Sequence, residues 1–226
     1  MRKYICLILL LFSFLLVSCK DKKESEVEFK YSTVNMILGD EKIVDIVSTI
    51  DITSVVAVKE NNKILNYEVD SEKVVITASE KGSEDVVIKV NDDYEIKVTV
   101  NVVGEKIFAD DFFNKEENDY YVMFYKDNCS ACEKAMPYVL HYLNTLEEGE
   151  MKVYFCKFVK GEEEYGIHHS YTGENGEGKD GKYFVTGVTK YEEMCVYGTP
   201  TLIKVSKGVA YYEVSGSSSI INYFER

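Results

Sequence analysis

Between about residues 30 and 103, apolar side chains recur at every second position, a pattern no helix can bury on one face. Val86, Ile88 and Val90 alternate with mostly polar neighbours, and so do Ile96, Val98, Val100 and Val102. A period of two sends one set of side chains to a core and leaves the other in solvent. Shorter β-branched runs lie at 43–47, 55–58 and 74–77, and Gly39-Asp40, Asn61-Asn62 and Asn91-Asp92-Asp93 punctuate them as turns. Short strands so spaced, with no helical stretch between them, predict an all-β sandwich over 30–103.

This run resembles the small bacterial Ig-like domains of surface proteins. The resemblance lies in Leu38-Gly39-Asp40 after the first strand, Lys81-Gly82-Ser83 before Val86-Val87-Ile88, and the closing Val-x-Val-x-Val. It implies a spacer or a binding module without chemistry, and the segment contains neither His nor Cys.

Residues 104–106 read as a boundary, after which the pattern mixes α and β. Residues 120–125 form a short apolar run, readable as a buried strand. Ala131, Ala135, Met136, Val139, Leu140 and Leu143 then recur at helical spacing. A strand is expected at 153–159, a Gly- and Glu-rich inserted loop at 160–183, and a short helix around 190–195. Strands at 201–205 and 209–214 join through Lys207-Gly208. Gly216-Ser217-Ser218-Ser219 is expected to cap a last helix at 220–224.

The chemistry concentrates at Cys129-Ser130-Ala131-Cys132, which follows a strand and opens a helix. A thiolate is the nucleophile of disulfide exchange, and a helix N-terminus offers it partial positive charge and free N–H donors. Cys132, one turn further in, is placed to attack a mixed disulfide at Cys129 and release the substrate. Zinc sites also use C-x-x-C, but neither a second such pair nor paired His at ligand spacing accompanies this one.

The segment 105–226 resembles the thioredoxin family. Pro137 lies five residues after Cys132, and Val196-Tyr197-Gly198-Thr199-Pro200-Thr201-Leu202 looks like that family's segment around its cis-proline. Gly208 and Gly216 also fall where the family has glycines. The resemblance implies a C-terminal α/β fold behind the N-terminal sandwich. It also implies catalysis by Cys129 and Cys132, and substrate backbone held at Thr199 and Pro200. Asn128 departs from the Trp that usually precedes the first Cys. Met123 takes the place of the buried acid, and Lys157 matches the lysine that accompanies it. With the acid gone, water or Glu133 is left to serve Cys132.

Arg2 and Lys3 precede about fourteen largely apolar residues, 4–17, which is short for a membrane span but right for an export signal. Leu16-Val17-Ser18-Cys19 resembles the bacterial lipobox, which implies cleavage after 18 and a lipid on Cys19, anchoring the chain to the cell membrane on its outer side. Residues 19–29 are charged and read as a tether. The leader takes Arg2 and Lys3 with it, so the net charge of −13 becomes −15. A chain this acidic repels phosphate backbones, which argues against nucleic acid as a partner.

Outside the cytoplasm disulfides persist. Besides the Cys129–Cys132 pair, Cys156 and Cys195 remain, as buried structural thiols or as a second pair. His168-His169 lies near Glu162, Glu163 and Glu164, but neighbouring side chains of an extended segment point apart, so a solvated loop is expected there. No metal or other cofactor is expected. The reading is a membrane-anchored thiol–disulfide oxidoreductase acting on thiols and disulfides of exported proteins, regenerated by a membrane redox partner. The alternative is a cell-surface binding or adhesion protein in which the disulfide only locks a scaffold.

Overall fold

The computed structural model describes residues 26–58, 63–158, 185–194, 196 and 198–225. The alternating stretch forms β1 (Val27–Phe29), β2 (Thr33–Ile37), β3 (Glu41–Ser48), β4 (Val55–Ala57), β5 (Leu65–Asp70), β6 (Lys73–Ala78), β7 (Gly82–Val90) and β8 (Tyr94–Ile107). One antiparallel sheet runs β1-β3-β6-β5. Opposite it, β4, β7 and β8 pair antiparallel, and β2 runs parallel to β8. The inward members of the alternation, among them Val44, Ile76, Val86, Ile88 and Val100, share one buried core. Their neighbours, such as Ile43 and Val56, stay exposed.

β8 does not stop at Gly104. Its last residues pair in parallel with β10 (Val153–Lys157), Glu105 lying opposite Tyr154 and Ile107 opposite Cys156. The sheet continues through β9 (Asp119–Tyr125), β11 (Thr201–Ser206) and β12 (Val209–Ser215), in the order β12-β11-β9-β10-β8-β7-β4. Side chains alternate across it. Tyr121, Met123, Tyr125, Val153 and Phe155 face one core, and Tyr120, Val122, Phe124, Tyr154 and Cys156 face another. The first core is covered by α1 (Ser130–Asn144) and α2 (Ser217–Phe224), which pack against each other. Extended segments around Phe112, Val185, Val188, Met194 and Val196 join the second.

The expected C-terminal α/β thioredoxin-like fold with several helices is not what the chain forms. Strand accounts for 47% of the described residues and helix for 17%, and α1 and α2 are the two α-helices among them, set against two sheets. The physical reason lies in the segments after β8 and before β11. Residues 108–118 combine Phe112 and Phe113 with a polar run, so they form a single 3-10 turn (Ala109–Asp111) and then extended chain. The expected helix at 190–195 is also one 3-10 turn (Tyr191–Glu193), since its neighbours Val185, Val188, Met194 and Val196 carry no helical period. The last helix begins earlier than expected, at Ser217. Its cap is Gly216 (φ 82°), with no serine side chain bonded to the helix end.

The two parts are welded at Gly104. The Leu38 N–H donates to the Gly104 carbonyl (3.0 Å), and the Lys106 ammonium pairs with Asp40 at 2.5 Å. Ile37, from β2, is buried in the core of the redox face rather than in that of the sandwich. A Cβ at position 104 would meet Phe155 at 2.8 Å and Ile37 at 2.9 Å, so only glycine lets these elements approach.

Candidate redox site

Cys129 stands at the N-cap of α1 in an extended conformation (φ −109°, ψ 97°). The Cys132 N–H donates to the Cys129 sulfur at 3.1 Å, the bond a serine or aspartate side chain accepts at other helix starts. The two sulfurs are joined, with Cα atoms 5.2 Å apart. Cys129 is 7% exposed and Cys132 only 2%. Asn128, just before the pair, sits in the left-handed region (φ 54°), which asparagine tolerates better than a tryptophan would.

Thr199 and Pro200 lie across from the pair, as expected. The Thr199–Pro200 bond is cis. The Cys129 sulfur is 3.7 Å from the Thr199 carbonyl oxygen and 3.6 Å from its hydroxyl. In the disulfide state the sulfur carries no proton, so the hydroxyl is the donor of the two. The loop holding Thr199 is fixed on both sides. The buried Thr201 hydroxyl donates to the Gly198 carbonyl (2.7 Å), and the Gly216 N–H donates to the Pro200 carbonyl (2.9 Å).

The pair's other surroundings are apolar. Met123, Ala135, Val139, Leu202 and Ile220 are all fully buried around it. Lys157 is not beside Met123. The strand register sets Phe155 opposite Met123 and Lys157 opposite Tyr125, and the Lys157 ammonium pairs with Asp127 at 2.7 Å. Asp127 precedes Cys129 by two residues, so this pair tethers the loop that carries the cysteine. Sequence reasoning missed Asp127. The charge pattern Lys126-Asp127 was a visible signal, but its partner became clear only from the register.

Cys156 is fully buried in β10, and burial pushes its thiol up to about 12, so it stays protonated and unreactive at neutral pH. It faces the opposite side of the sheet from Cys129 and Cys132, which leaves the strands between them. Cys195, Cys19, the loop at 160–183 and His168-His169 lie outside the described residues. No helix among the described residues is long and apolar enough to cross a membrane.

No family model and no curated protein matches this chain.

Proposed function

We propose that the chain is a thiol–disulfide oxidoreductase working outside the cytoplasm on exported proteins. The observation that carries this reading is the Cys129 sulfur at a helix N-cap, in contact with one backbone N–H and with Thr199. A substrate thiolate attacks the Cys129 sulfur, the Cys129–Cys132 bond breaks, and its electron pair leaves on Cys132 as a thiolate. Cys132 then attacks the mixed disulfide, restores the internal bond and releases the substrate thiolate. Run onward by a second substrate thiolate, or in reverse, the same steps oxidise or reduce a partner. The Thr199 hydroxyl and the Cys132 N–H are the donors that meet negative charge developing on Cys129. The lipid on Cys19 and the membrane redox partner belong to this proposal as the means of placing and recharging the pair.

The deep burial of both sulfurs favours the alternative, a binding protein with a locked bridge. A glutathione redox titration of the full chain, read by thiol trapping and mass spectrometry, separates the two. Equilibration of the pair supports the oxidoreductase. A potential below about −250 mV would mark a reductant and one above about −180 mV an oxidant or isomerase. A bridge that stays closed in strongly reducing buffer would make the disulfide structural and put the binding reading first.

A further inference from the structure

Two unmet needs face each other in the core beneath the disulfide. The first belongs to Cys132. When the bridge opens, its sulfur takes the leaving electron pair at a position 2% exposed and packed against Met123 and other apolar groups. Cys129 has a backbone N–H and the Thr199 hydroxyl, whereas no donor among the described residues contacts the Cys132 sulfur. A buried thiolate without a donor is strongly disfavoured.

The second belongs to Tyr125. Its hydroxyl is buried without a hydrogen-bond partner in the disulfide state. Tyr125 is 6% exposed, ends β9, and is packed in the same cluster as Cys129 and Cys132, three residues of loop before the pair. The nearby charges are already engaged, Asp127 with Lys157 and Asp40 with Lys106. Burial first, then the carboxylates of Asp40 and Asp127, raise the phenol well above its ordinary value, so it holds its proton and acts only as a donor. Orphaned buried hydroxyls are uncommon because each carries a desolvation cost, and their presence at a redox centre calls for a function.

We propose that Tyr125 is a positioning residue for the pair, whose hydroxyl donates a hydrogen bond, directly or through one water, to the thiolate that Cys132 becomes. The proposal rests on the oxidoreductase reading. No proton leaves the phenol. The donor stabilises the reduced state alone, and so makes Cys132 a better leaving group and the pair easier to reduce.

The test is Tyr125→Phe in the full chain, which keeps the ring and removes only the hydroxyl. The glutathione equilibrium should shift about tenfold toward the disulfide, which is about 30 mV for a two-electron couple. Urea unfolding of the oxidised variant should be unchanged or improved, while that of the phosphine-reduced variant should weaken by the same tenfold factor. Equal potentials and equal reduced-state stability in the two proteins would overturn the role of Tyr125. If glutathione never opens the wild-type bridge, the oxidoreductase reading fails, and the reduced-state unfolding comparison still decides whether the hydroxyl meets the sulfur.

Discussion

Cys129 shows how one atom can serve structure and reaction together. Its sulfur fills the N-cap role at α1, so the bond that starts the helix is also the bond that receives charge when the bridge opens. The bridge closes only a four-residue loop. Cross-linking so short a loop removes little chain entropy, about 2 kcal/mol by the loop-length relation. We therefore expect the reduced chain to stay folded, with urea unfolding in the presence of phosphine showing a loss no larger than about 2 kcal/mol. Collapse on reduction would mark the bridge as a staple. At this scale the sequence was informative about Cys129, Cys132, Thr199 and Pro200, because spacing and local motif fix them. Tyr125 was not legible. It reads as the end of an apolar run, and nothing in a linear chain reveals that a hydroxyl lacks a partner.

Among the elements, β8 shapes the molecule more than any other. Alternation predicted its first nine residues, but the boundary expected at 104–106 falls inside the strand, which passes from one partner set to the next without a break. Pairing register, which sequence does not display, decided this. Gly104→Ala should cost about 1–3 kcal/mol in urea unfolding, since the added methyl overpacks against Phe155 and Ile37. A second tie binds the start of β9 to β10. Burial alone would raise Glu117, but hydrogen bonds from Lys152 and Tyr154 outweigh it and hold the carboxyl down at about 2. A value depressed in the folded state gives stability that is complete above the ordinary 4.5 and is lost as the pH falls toward 2. Glu117→Gln should lower the urea midpoint at about pH 7 and change it much less near pH 2. Equal losses at both would show that the charge contributes nothing.

For the whole molecule, the sandwich is more than the spacer that its sequence suggested. It lends Ile37 to the redox core, Gly39 and Asp40 to Lys106, and Lys81 to Glu105, all on the far side of the expected boundary. A fragment starting at residue 105 keeps only the three β8 residues that pair with β10, and opens the Ile37 site against Phe155 and Leu140. Losing a buried isoleucine from a packed core costs about 2–5 kcal/mol, a large part of the stability of a small domain. We therefore expect that fragment to give a collapsed amide spectrum, and the intact chain to unfold in one step, with amide exchange at Val86 and Val205 reporting the same free energy. A well-dispersed fragment that holds the full chain's glutathione equilibrium would instead make the sandwich a detachable module. Because the Gly39-Asp40 turn packs beside the strand ends that lead to Cys129, any partner gripping the sandwich would then have no mechanical route to the disulfide; in the welded molecule it has one.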